Sequence, residues 1–114
     1  MFIPSEKCPT REQVVQKGEG LLTIKDLAFK EDMYGKARMF SQIDIEPGCS
    51  IGYHPHNNET EFYYIIKGEG LFNDNGTEIP VKVGDVCATG YGEYHSLKNT
   101  GTELLSIVAL IVLE

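Results

Sequence analysis

The sequence predicts an all-β single domain, a sandwich or barrel, on three observations. From Gly20 onward, short runs of β-branched, aromatic and aliphatic residues are broken by Gly, Pro, Asn and Asp at the intervals of strands and turns. Twelve glycines are spread along the chain rather than clustered, which suits many tight turns better than helices. At 114 residues, roughly two-thirds of the unfolded surface can be buried, enough for one core and one principal site.

Residues 1–18 are polar and mixed and read as an N-terminal extension, in which Arg11–Lys17 is expected to form one or two helical turns ended by Gly18. Residues 19–114 read as the barrel. Strands are expected at 21–27, 37–45, 51–56, 61–66, 70–73, 78–81, 85–89, 95–99 and 104–113. Pro47-Gly48, Lys67-Gly68 and Asp74-Asn75-Gly76 mark the clearest turns, and Asn-Gly supplies the positive φ angles of a two-residue hairpin. No internal repeat, linker or low-complexity segment interrupts this pattern.

Alternation then sorts side chains by face. In 37–45 the odd positions are mostly aliphatic and the even ones mostly polar, so one face is dry and the other meets a polar cavity or solvent. That polarity directs Arg38, Phe40 and Gln42 toward the interior. The strands at 61–66 and 104–113 are apolar on both faces, which calls for protein on both sides. In so small a chain the second cover is expected to be another copy, hence a homodimer.

Composition narrows the partners. A net charge of −7 with only ten scattered basic residues argues against a phosphate-backbone surface, so no nucleic-acid partner is expected and a small-molecule or protein partner is. The longest apolar run, 104–113, is half the ~20 residues of a membrane-spanning helix. The segment Met1–Glu6 lacks the basic-then-apolar order of an export signal. A cytoplasmic location with reduced thiols is expected, since Cys8, Cys49 and Cys87 cannot all pair and match no zinc-knuckle spacing. Cys87, among apolar residues, reads as a small core hydrophobe.

Chemistry concentrates in one stretch. His54 and His56 share a strand face at a spacing that lets two imidazoles reach one cation, and Glu61 can reach the same point from the next strand. Two such histidines alone are often only polar exterior. The third and last histidine, His95, opens a strand after the Gly-rich turn Thr89–Tyr94, which strengthens the metal reading. Glu59 is assigned to the intervening turn and to solvent. Imidazoles with one carboxylate suit Mn, Fe, Co, Ni, Cu or Zn, and suit an all-oxygen Ca²⁺ or Mg²⁺ cage poorly.

These residues resemble the two signature motifs of the cupin superfamily. The first motif is matched by Gly48, His54, His56, Glu61 and Gly68 without departure. The second is matched by Gly84, Gly92, His95 and Asn99, with Gly90 standing where the family usually has proline. That departure bears on turn stiffness and not on a ligand. The resemblance spans residues 48–99, with a short inter-motif stretch at 69–83. It implies a double-stranded β-helix, that is, a jelly-roll barrel. It also implies one divalent transition metal held by His54, His56, Glu61 and His95.

The reaction is less legible, because an open metal site can polarise a carboxylate, activate water or bind dioxygen. Small cupins resemble dioxygenases, decarboxylases, isomerases and lyases, and also binding proteins without chemistry. The leading expectation is a metal-dependent enzyme acting on a small polar or carboxylate-bearing metabolite, with Tyr63, Arg38 and Glu93 as candidate catalytic residues. The rival is a non-catalytic metal-containing binding or sensor module. A structural metal in a partner-binding dimer ranks third.

Overall fold

The computed structural model describes all 114 residues. The nine expected strands form, each within two residues of its expected ends, and a tenth precedes them. They are β1 (Thr10–Gln13), β2 (Leu22–Ala28), β3 (Ala37–Ile45), β4 (Ser50–Pro55), β5 (Glu59–Lys67), β6 (Glu69–Asp74), β7 (Thr77–Lys82), β8 (Val86–Gly90), β9 (Tyr94–Lys98) and β10 (Leu105–Leu113). Short 3₁₀ turns lie at Ser5–Lys7 and Lys30–Met33. No helix is long and apolar enough to cross a membrane.

The strands build the expected jelly roll from two antiparallel sheets, one of six strands ordered β1-β2-β3-β10-β5-β8 and one of four ordered β4-β9-β6-β7. Between them, inward residues of the larger sheet such as Ile43, Ile65 and Ile107 meet Ile51, Phe72 and Leu97 of the smaller one, all buried in one cluster. At roughly 25 cal/mol per Å² of apolar area, this burial dominates folding. The β6–β7 hairpin pairs Asp74 with Thr77, leaving Asn75 and Gly76 as a two-residue loop with φ of 49° and 104°. Both central angles must be positive there, which is why Asn-Gly occupies it.

Two expectations are corrected. Arg11–Lys17 is not helical: Thr10–Gln13 pairs with β2 from Thr10↔Lys25 to Gln13↔Leu22. So short a segment is marginal as an isolated helix, whereas the open edge of β2 supplies ready backbone partners.

The polar and dry faces of β3 are also reversed. Ser41, Ile43 and Ile45 point inward and are buried, while Phe40 and Gln42 lie on the outer face, registered with Leu110 and Val108. Closed interiors of small barrels are filled by aliphatic side chains, so the dry face wins the inside. Arg38 escapes the alternation because a bulge leaves it unpaired between Met39↔Ile111 and Ala37↔Val112. Such an extra residue re-aims its side chain, and Arg38 reaches the inner cavity that Phe40 and Gln42 do not.

Candidate metal centre

The four residues expected to share a cation converge. β4 presents His54, His56 follows at its end, β5 presents Glu61 and β9 presents His95, all four buried. The register His54↔His95 places two of the imidazoles directly across the β4–β9 pair. The three Nε2 atoms stand 3.1 Å (His54 to His56), 3.0 Å (His56 to His95) and 3.2 Å (His95 to His54) apart. Glu61 Oε1 lies 2.9 Å from His56 Nε2 and 3.1 Å from His95 Nε2, and the whole donor set falls within 4.8 Å.

This spacing fits a transition-metal ion. At metal–ligand distances of about 2.1 Å, neighbouring ligand atoms stand about 3.0 Å apart at right angles and about 3.4 Å apart at the tetrahedral angle. The observed 2.9–3.2 Å edges match the former. Four protein ligands then leave about two of six positions for other molecules.

Tautomers support the same reading. His54 Nδ1 donates to the Gly52 carbonyl at 2.6 Å, and His56 Nδ1 bonds the Glu59 carboxylate, which turns both Nε2 atoms toward the common centre. Metal-binding histidines characteristically use their second nitrogen in this way. His95 Nδ1 is buried without a partner, and its ring is oriented instead by stacking on Tyr63 at 4.8 Å and 14°.

Electrostatics prepare the centre for a cation. Burial by itself would raise the Glu61 pKa, yet hydrogen bonds with His56 and His95 outweigh it and lower the value to about 2. His56 shows the converse: burial opposes its charge, but the bonds to Glu61 and Glu59 prevail and raise its pKa. His54 is lowered, chiefly by burial. Where an imidazole is protonated at Nε2 a cation would have to displace that proton, so metal affinity would fall with acidity.

Of the remaining candidates, Tyr63 and Arg38 border the same cavity and Glu93 does not. Tyr63 is fully buried with its hydroxyl 3.2 Å from His95 Nε2, and burial followed by the Glu61 charge raises its pKa well above the ordinary value. Arg38 stands at the cavity mouth and grips Glu59 through Nε at 2.7 Å and an η-nitrogen at 2.8 Å. Glu93 sits on the exposed turn before β9; its backbone carbonyl accepts from His56 N at 3.1 Å while its side chain faces solvent.

Glu59 was the residue missed. It is not solvated in a turn: β5 begins at Glu59 itself, so alternation puts it on the same inward face as Glu61, with its side chain only 13% exposed. The parity of 59 and 61 was the available signal.

Gly90, in place of the usual proline, is explained by its neighbour. It pairs with Thr60, and a Cβ there would stand 2.3 Å from Thr60 Oγ1. Hydrogen bonds from Gly92 N to His56 O (2.8 Å) and from Glu93 N to Gly90 O (3.0 Å) hold the loop instead of a ring. Asn99 locks the far end of motif two, donating to Ile45 O and Glu103 O at 2.8 Å each.

A cavity of about 180 Å³ opens beside the centre. Its wall combines His54, His56, Glu61 and Tyr63 with aliphatic Ile24, Ile43 and Ile51, and with Arg11, Gln13, Gln16 and Arg38.

Known proteins share this architecture. The cupin domain family matches residues 41–112. An "Oxalate-binding protein" of Thermotoga maritima is 46% identical over 109 residues, covering 96% of this chain and 90% of that protein. A crystal structure from the same organism, described as "a predicted oxalate decarboxylase", superposes with a TM-score of 0.96 at 42% identity over the full length of both chains. A polyketide cyclase of Streptomyces resistomycificus shares the fold at a TM-score of 0.79, 13% identity, and coverage of 100% of this chain and 80% of its own. With more than half its length matched by the family and a close relative spanning nearly all of it, this chain belongs to the cupin domain family.

Proposed function

We propose that this cupin binds a small dicarboxylate, oxalate foremost, at one divalent transition-metal ion held by His54, His56, Glu61 and His95. One observation carries the reading. The chain has only two arginines, Arg11 and Arg38, and both border the cavity that His54, His56 and Glu61 line. A guanidinium pairs with a carboxylate through two parallel hydrogen bonds and is selective for that geometry.

Three neutral imidazoles and one carboxylate leave a divalent ion with a net charge near +1, which favours an anionic guest. Bound there, the ion supplies Lewis acidity to a carboxylate oxygen. The chain's own residues do the rest. Arg38 and Arg11 orient the guest and are themselves held by Glu59 and Asp26. Ile24, Ile43 and Ile51 exclude water, which strengthens each charge interaction. Tyr63, with its raised pKa, keeps its proton at neutral pH and serves as a wall and a donor. The names carried by the Thermotoga maritima protein and by the crystal structure from that organism support a carboxylate guest.

Turnover is the second reading, favoured by the crystal structure described as "a predicted oxalate decarboxylase". Decarboxylation would break the oxalate carbon–carbon bond, release CO₂ and place one proton on the remaining carbon to give formate. Calorimetry of metal-loaded protein with oxalate, run beside a formate assay, separates the readings. Saturable binding without formate supports the binding module. Formate beyond one equivalent per chain establishes the enzyme instead. Metal-loaded protein that takes up no oxalate sinks both. His54→Ala should lose stoichiometric metal and oxalate binding together while remaining folded.

The same reading takes residues 19–114 as the barrel and 1–18 as an extension laid over it. It takes the working form as a cytoplasmic homodimer with reduced thiols. The three free cysteines support the compartment. The exposed aromatic and aliphatic row of Phe62, Tyr64 and Ile66 (38%, 49% and 39%) supports the dimer.

A further inference from the structure

We propose that the segment Thr10–Lys17 is the specificity wall of the metal cavity, and that its seating and the reach of Arg11 set the length of carboxylate the cavity accepts. The ligand class rests on the function proposed above. The placement of the wall does not.

The segment crosses from one sheet to the other. Its first half, β1, is hydrogen-bonded to β2 at the edge of the six-stranded sheet. Its continuation docks on β4, the edge of the four-stranded sheet: Val15 O accepts from Gly52 N at 3.1 Å, Glu19 O from Ser50 N at 2.9 Å, and Ser50 Oγ from Glu19 N at 2.9 Å. The gap between those two edges is where the cavity lies. Arg11, Gln13, Val15 and Gln16 form its wall on this side.

The seating is tight. A Cβ on Gly18 would stand 2.2 Å from Ser50 O, and one on Gly52 would stand 1.9 Å from Gln16 O. Only hydrogen at both positions allows this approach of backbones. The consecutive left-handed residues Gln16 and Lys17 (φ 52° and 60°) follow from the turn this docking imposes. Such conformations are disfavoured for residues with a side chain and persist where the surroundings hold them.

The seat also touches the ligand sphere. Gly52, which donates its N–H to Val15, offers its carbonyl to His54 Nδ1 at 2.6 Å. Arg11 and Arg38 border both the inner cavity and an outer groove of about 330 Å³. A guest travelling inward passes between the two guanidiniums, and the wall behind Arg11 limits how long that guest can be. The family match covers residues 41–112, so this wall lies outside the matched residues.

The test uses metal-loaded protein and four probes: oxalate, malonate, succinate and formate, titrated by calorimetry. Wild type is expected to bind oxalate more tightly than succinate. Gly18→Ala, which forces the segment away from Ser50, should cut that preference about tenfold while metal stoichiometry stays at one. Trypsin should then cut after Arg11 or Lys17 in the native protein. Arg11→Gln, which leaves the backbone seated, should weaken oxalate about tenfold, as for one charge-assisted hydrogen bond, and change formate less. An unchanged oxalate-to-succinate ratio in both variants overturns the proposal; should Gly18→Ala fail to fold, Arg11→Gln decides alone.

Metal extraction by a coloured chelator gives a readout independent of the acids. It should proceed several-fold faster in Gly18→Ala than in wild type. If wild type binds none of the four acids, the proposed function falls, and the wall is judged on extraction. Equal rates would then overturn it as well.

Discussion

The Nδ1 atom of His56 bonds the Glu59 carboxylate, and Arg38 holds the same carboxylate with two hydrogen bonds of 2.7 and 2.8 Å. A single carboxylate thus joins a ligand of the metal centre to an arginine at its mouth. It turns His56 Nε2 toward the shared centre, and it anchors the guanidinium that would face the proposed guest.

Glu59→Ala should therefore weaken metal binding by roughly 10- to 100-fold, the range found when the group behind a metal-binding histidine is removed. Glu59→Gln should lose less, because its amide oxygen still accepts from Nδ1. Competitive chelator titration measures both, and an alanine variant with wild-type affinity would remove Glu59 from the centre's support.

The same pair predicts a pH dependence in the metal-free protein. Glu59 is held below its ordinary 4.5, first by the Arg38 hydrogen bond, with burial opposing and His56 assisting. A carboxylate with a depressed folded pKa contributes stability above its unfolded value, and that contribution fades as pH falls through the folded one. Wild type should then exceed Arg38→Ala in urea midpoint above the ordinary carboxylate range and converge on it as the pH falls below that range. A gap that widens on acidification would contradict the assignment.

Cys87 should resist alkylation in the folded state. Burial, then the charges of Asp85 and Asp74, push its thiol up to about 11. At pH 8 only about one molecule in a thousand then carries the reactive thiolate. Mass spectrometry after iodoacetamide treatment should find Cys87 unmodified until denaturant is added, whereas prompt native labelling would show that the strand opens.

The outer face of β5 and β10 predicts the assembly. Phe62 faces Leu110, which faces Phe40 in turn, so an apolar row crosses three strands on the side away from the core. Light scattering should give about twice the 12.7 kDa chain mass, and Leu110→Lys should bring it back to one. A monomeric wild type would leave that row without its expected cover.

Much of this protein could be read without coordinates because its signals are local. Strand alternation, the Asn75-Gly76 turn and the spacing of His54, His56 and Glu61 each depend on backbone geometry over a few residues, whereas His95 was drawn in by the likeness to the second cupin motif. Glu59 was misread by two positions, because where a strand begins depends on what it pairs with, and Leu113 across the sheet claims Glu59 as a partner. The β3 faces were reversed because polarity alone does not say which side a barrel closes around.

By itself the sequence determined the all-β class and the number of major strands, since turn chemistry and period-two alternation are written residue by residue, and its likeness to the two cupin motifs named the four residues that converge. Only the tertiary structure decided that β1 is a strand laid against β2, that a bulge turns Arg38 inward, and that Arg11 joins it at the cavity. Those outcomes depend on contacts between segments far apart in the chain, whose free energy exists only once both sheets are in place.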